Sequence, residues 1–277
     1  MNQAPYILEN PPKRHPVSDK RTYNVSIQTS IIGVEKPVKK TITYLLDISY
    51  ENHFFSFIKG KTTVDGAPVP TKINELYLKA TESLNAIEFR CTEQGNVNEL
   101  YKYRHLLKKW EQVKSIIKKE FTGASVDQLI TRLDVTYNNK QTLIQRINSN
   151  IVLQTFYRSF LNDYLVYYGK SRATFNCSGI LGNNLLPFAS EKTLSLKNEQ
   201  LYVQTDASLN KAKINTEQLE AYFKNKVEGF NLDNLEISIQ DCTLLDYKSV
   251  WINQSTVTKI VQVGNYKKQV ILTLQNV

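Results

Sequence analysis

The sequence predicts an α+β fold: an N-terminal antiparallel sheet with a helix, a central helical hairpin or three-helix unit, and a C-terminal antiparallel sheet. Three observations carry this. Apolar and polar residues alternate in the first and last thirds, apolar residues recur at helical spacing in the middle third, and the regular strand-helix alternation of a doubly wound nucleotide-binding fold is missing. The chain has 277 residues, 41% of them hydrophobic and 22% charged, with a net charge of +9. That is enough length for one large or two ordinary domains and too little charge density to keep a chain unfolded. Disorder, collagen and coiled coil are excluded as the main architecture.

Three segments follow along the chain. Residues 1–21 hold Pro11, Pro12 and Pro16 among charges and read as a flexible or partner-docking arm, in which Tyr6, Ile7 and Leu8 form a short apolar anchor. Residues 22–168 read as an α+β domain with long helices, and residues 169–277 as a mainly β domain with one short helix.

Residues 23–32 read as a strand. In residues 41–51, Ile42, Tyr44, Leu46, Ile48 and Tyr50 fall on one face, the period-two signature of a half-buried strand. Residues 54–64 form the return strand. Thr71 is placed to cap a helix carrying Ile73, Leu76, Tyr77, Ala80 and Leu84. Ile87, Phe89 and Cys91 alternate again. A helix is then expected over 98–121, with Leu106, Leu107, Trp110, Val113 and Ile117 in one stripe, and a second after Ser125, weak around Asn138 and Asn139. A third apolar segment covers 151–168. The glycine-rich stretch from Gly179 to Pro187 reads as a loop, followed by strands over 193–203, 235–239, 257–263 and 269–274 and a short helix over 216–226. The last two strands meet at a tight hairpin around Gly264, Asn265 and Tyr266.

The chemistry is sparse. Lys59, Gly60, Lys61 and Thr62 lack the earlier glycine of a phosphate loop, since position 55 is Phe55. His15, His53 and His105 have no partner at metal-ligand spacing, and Cys91, Cys177 and Cys242 fit neither a zinc site nor a redox pair, so no metal or other cofactor is expected and the thiols read as reduced and buried. The weak catalytic candidates are Asp241, Asp246 and Lys248, an acid, acid-x-base pattern like that of metal-dependent nucleases, where two carboxylates hold Mg²⁺ and a lysine polarises water. A turn between strands explains the same residues.

Candidate partner-binding residues are Lys108, Lys109, Lys114 and Lys118 on the long basic helix, with Tyr164 and Tyr167 in a tyrosine-rich segment. A solvated helix face and a core or domain junction are the competing readings. The sequence therefore predicts a non-enzymatic binding, adaptor or assembly subunit of a bacterial or phage-like protein complex, with a protein as partner. The alternatives are a nucleic-acid-binding protein and, behind it, a metal-dependent nuclease. No apolar run is long enough to span a bilayer, and the N-terminus lacks a signal-like pattern, so a cytoplasmic location is expected.

Overall fold

A computed structural model of the chain describes residues 17–51, 54–67, 71–92, 96–160, 170–182, 184–224 and 226–277. The first hairpin pairs β1 (Asp19–Ile32) with β2 (Val38–Glu51), Tyr23 opposite Leu46. Tyr23, Val25, Leu46, Ile48 and Tyr50 are buried, so the alternation in the sequence marks the inner face. Strand β1 begins at Asp19, within the last residues assigned to the arm; the remainder of the arm up to residue 16 lies outside the described residues.

The expected return strand is split into β3 (Phe54–Lys59) and β4 (Thr63–Val64), and both pair with β2. Thr71 caps α1 (Lys72–Ala80) as its spacing predicts, its side chain accepting the Asn74 N–H at 3.2 Å. Strands β5 (Ala86–Cys91) and β6 (Val97–Leu100) complete this flank.

Strand β6 corrects the expected start of the long helix. Val97, Glu99 and Leu100 pair with β5, and the Asn148 side chain accepts the Val97 N–H at 2.8 Å and donates to the Val97 carbonyl at 3.2 Å. Lys102, at a φ of 53°, then turns the chain into α2 (Tyr103–Glu120). The second helix is two, α3 (Ala124–Asn138) and α4 (Lys140–Asn148), broken where Asn139 caps α4 by accepting the Thr142 N–H at 3.0 Å. Helix α5 covers Ile151–Phe160, and the remainder of the expected segment, including Tyr164 and Tyr167, lies outside the described residues.

The C-terminal flank contains β7 (Lys170–Cys177), β8 (Leu186–Lys197), β9 (Gln200–Leu209), α6 (Thr216–Phe223), β10 (Glu236–Asp246), β11 (Ile252–Val263) and β12 (Tyr266–Asn276). The single strand expected over 193–203 is instead the β8–β9 hairpin, turned by Asn198 and Glu199 at φ of 51° and 57°. The positive φ at both residues suits the right-handed twist of the flanking strands.

The two sheets expected from the sequence are flanks of one twelve-stranded sheet, ordered β6-β5-β3-β2-β1-β12-β11-β10-β9-β8-β7, with β4 on β2. The seam is β1 against β12, with Tyr23 opposite Asn276. All the pairings are antiparallel. Helix α4 packs on β6 and α5 on β11, so the helices lie over the inner face. At the seam Phe156 of α5 meets the rings of Tyr23 and Phe57 edge-on, with centroids 5.2 and 5.6 Å apart. The buried apolar residues of both flanks form one continuous core.

Candidate functional site

The acid, acid-x-base pattern does not converge. Asp241 is buried on the inner face of β10, where the Thr243 hydroxyl donates to it at 2.7 Å and lies 2.8 Å from the Ser255 hydroxyl. Asp246, five residues on, falls on the opposite face of the strand. Its carboxylate accepts the Ser249 N–H and hydroxyl, both at 2.6 Å, and so folds the turn into β11. Burial raises the pKa of Asp246, but the bonds from Ser249 and the Lys248 N–H outweigh it and hold the group below the usual carboxylate range. Lys248 points elsewhere, to Glu199 at 3.0 Å. Two carboxylates on opposite faces cannot share one Mg²⁺.

The four candidate lysines of α2 also diverge. Lys108 and Lys118 are exposed and Lys109 is half-buried. Lys114 bonds to Glu111 at 2.7 Å and Asp134 at 3.0 Å, and these contacts tie it to the helical layer. The hydrogen bond to Glu111 is the main cause that pushes its pKa up, although burial opposes it.

Two other arrangements come from the sheet itself. The first is polar groups on the inner face. Lys192 of β8, Thr205 of β9 and Asp241 of β10 lie in one row across adjacent strands, all buried. Beside them Lys259 of β11, 4% exposed, donates to Gln154 Oε1 at 2.9 Å and lies 3.7 Å from Cys177 Sγ. Next to Lys259 is a cavity of about 100 Å³ lined by Ser149, Ile151, Gly179, Ile180, Lys259, Val261, Lys268 and Val270. Lys259 and Lys268 belong to no motif in the sequence. The available signal was a lysine at the inward register of a strand whose neighbours Val257, Val261 and Val263 are all buried.

The second arrangement is the outer face. Four adjacent strands present Asn24, Ser26, Gln28 and Ser30 of β1; Gln275, Thr273, Ile271 and Gln269 of β12; Gln254, Thr256, Thr258 and Ile260 of β11; and Leu244, Cys242, Gln240 and Ser238 of β10. They align in register, none is buried, and none is Asp, Glu, Lys or Arg. On the next strands Thr41, Thr43 and Leu45 of β2 and Tyr202, Gln204 and Ser208 of β9 continue the array. Charge enters only at Lys39 and Asp206.

No family model and no curated protein sequence matches the chain. Its fold matches part of lipovitellin. That structure, titled for lipid-protein interactions in lipovitellin, superposes with a TM-score of 0.52 at 8% sequence identity, over 96% of this chain and 25% of that one. The chain thus spans about a quarter of lipovitellin's length, and the likeness is one of fold.

Among the described residues, no group of three or more His, Cys, Asp or Glu side chains could hold a metal ion, and no helix is long and apolar enough to cross a membrane. The thiols differ from the expectation of three buried groups: Cys177 is buried, Cys91 half-buried, and Cys242 is exposed on the outer array. Partial burial, with Asp241 and Asp206 nearby, pushes the Cys242 thiol up. Native alkylation should therefore label Cys242 first, at a rate that keeps climbing as pH rises beyond the usual thiol range, and should label Cys177 only after unfolding. Mass spectrometry of timed iodoacetamide quenches checks this; equal rates at the two sites would contradict the assigned burial.

Proposed function

We propose that this chain is a non-enzymatic binding subunit of a larger assembly, and that it docks a protein partner through the outer face of its central strands. The observation that carries this reading is the charge-free array on a chain in which 22% of residues are charged. Protein interfaces are depleted of charge at their centres, because desolvating an unpaired ion costs several kcal/mol. The four charge-free strands and their two neighbours, spaced at about 4.8 Å, with four rows at about 6.7 Å, give a face of about 29 by 27 Å, or about 800 Å², with charge only at Lys39 and Asp206 on its margins. One partner's share of a standard interface is also about 800 Å². The array is rich in Ser, Thr, Asn and Gln, which supply the hydrogen-bonding groups that a protein surface can match. A lipid surface would be met by a contiguous apolar patch, so lipid contact of the kind lipovitellin makes is not the reading favoured for this face.

The test is a tagged chain purified from its native source, compared with Thr256→Arg at the centre of the array and Lys118→Glu on α2. A stoichiometric protein partner should be retained by the parent and by Lys118→Glu. With Thr256→Arg its affinity should fall at least tenfold, while the melting temperature stays within about 2 °C, because the side chain is half-buried on the outer face and not part of the core. Loss with Lys118→Glu alone, accompanied by nucleic acid and a steep salt dependence, would replace this reading with the nucleic-acid one.

A further inference from the structure

We infer that the partner met by the outer face is a second copy of this chain, paired about a two-fold axis that runs along the strands between β12 and β11. This rests on the docking reading above and names its partner.

Charge is the first ground. The chain carries a net charge of +9, so two copies repel at long range, and like charges brought together in an interface add to the cost. On the array two copies meet without any charge at the centre. Its hydroxyl and amide side chains each donate and accept hydrogen bonds, so such a face can match a copy of itself. An interface between identical patches has to be self-complementary in this way.

The margins fix the axis. In one row across the six strands, β2 ends the array with Leu45, 50% exposed, and β9 ends it with Tyr202, 43% exposed. Three rows further along β2 lies Lys39, and two rows further along β9 lies Asp206, both exposed. The Gln204 amide donates to Asp206 at 2.9 Å, which holds the carboxylate without neutralising it. A two-fold axis along the strands keeps each row in place and exchanges β2 with β9. It brings Leu45 of one copy against Tyr202 of the other, and Lys39 within one row, about 6.7 Å, of the opposite Asp206. Sheets packed face to face lie about 10 Å apart, a gap that a lysine and an aspartate fill from opposite sides. By symmetry each contact forms twice. An axis across the strands would instead press Leu45 against the other copy's Lys39 and leave Asp206 facing Gln204.

Size agrees. About 800 Å² from each copy buries about 1,600 Å² in total, the standard for a specific interface. Permanent dimers bury more apolar surface than this array offers, so the pairing is reversible.

Sedimentation equilibrium of the purified full chain from about 1 to 200 µM should show a monomer–dimer equilibrium, half complete at about 1–100 µM. Thr256→Arg, beside the axis, should weaken it about tenfold or more, and Lys118→Glu on α2 should leave it unchanged. Lys39→Asp should weaken it about threefold or more, because like charges then meet at both margins, and adding Asp206→Lys should restore it to within about twofold. A melting curve accompanies each variant. If Thr256→Arg does not fold, Gln240→Arg, exposed on the neighbouring strand, takes its place.

A chain that stays monomeric to about 200 µM, a dimer that the arginine variant leaves intact, or a double variant no better than Lys39→Asp would overturn the inference. The docking reading fails separately. A monomeric chain that still retains a different protein from its native source, released by Thr256→Arg, removes the second copy alone, whereas retention that Thr256→Arg leaves intact removes the docking face itself.

Discussion

Replacing Trp110 by alanine should lower the unfolding free energy by about 3–5 kcal/mol, the range for removing a buried Trp or Phe side chain. Trp110 is completely buried under the first flank, stacked on Tyr137 with ring centroids 4.7 Å apart and planes 4° off parallel. Its Nε1–H donates to Asp134 Oδ1 at 2.7 Å, the same oxygen that Lys114 reaches at 3.0 Å. The ring therefore joins α2 to α3 by packing and by a polar contact. Trp110→Phe separates the two contributions: it keeps an aromatic ring near Tyr137 but leaves Asp134 without the indole, so about 1–3 kcal/mol should be lost. Urea melts followed by circular dichroism measure both. An unchanged midpoint in Trp110→Ala would mean that the helical layer adds nothing to the stability of the sheet.

The second large effect is expected at Gly33→Ala. Gly33 follows β1 at a φ of 73°, and a Cβ there would lie deep inside van der Waals contact with the Asn265 carbonyl, at the tip of the β11–β12 hairpin. A side chain in the left-handed region costs about 1–2 kcal/mol and overpacking about 1–3 kcal/mol, so a loss of about 2–5 kcal/mol should follow. Gly264→Ala is the comparison. It also has positive φ, at 53°, but nothing lies within 4 Å of its Cβ position, so only the conformational part should appear. Equal losses in the two variants would show that the close approach at Gly33 contributes nothing.

Local pattern made the interior of each flank readable. Alternation located β1, β2, β11 and β12, the Leu106, Trp110, Val113 and Ile117 stripe located the buried side of α2, and Thr71 marked a helix start that its hydroxyl does cap. What failed was pairing and polarity. Strand β7 (Lys170–Cys177) is a sheet edge whose alternation rests on Ala173, Phe175 and Cys177 alone, a short signal beside the glycine-rich stretch. In β8 and β9 the inward positions include Ser190, Lys192 and Thr205, so polar residues occupy both faces and the hairpin reads as loop followed by one strand.

The seam between β1 and β12 has no local signature, because its partners come from opposite ends of the chain. The candidate surfaces inherit this difficulty. The charge-free array exists only once β1, β12, β11 and β10 are known to be neighbours, and the lysine-lined cavity only once Gly179 brings its loop to Ser149. The acid, acid-x-base pattern failed for a simpler reason: five residues along a strand reverse the face.

The seam also dictates when the protein can finish folding during synthesis. Strand β1 leaves the ribosome long before its second neighbour, which contains Asn276, the partner of Tyr23. Until β12 emerges, the N-terminal flank carries a long open edge at what will become the middle of the sheet, and the C-terminal flank grows an open edge of its own. Contacts this distant in sequence form slowly, and unpaired edges recruit other chains. A chain cut short before β12 would therefore carry two half-sheets with open edges and no strand to join them, a species suited to pairing between chains.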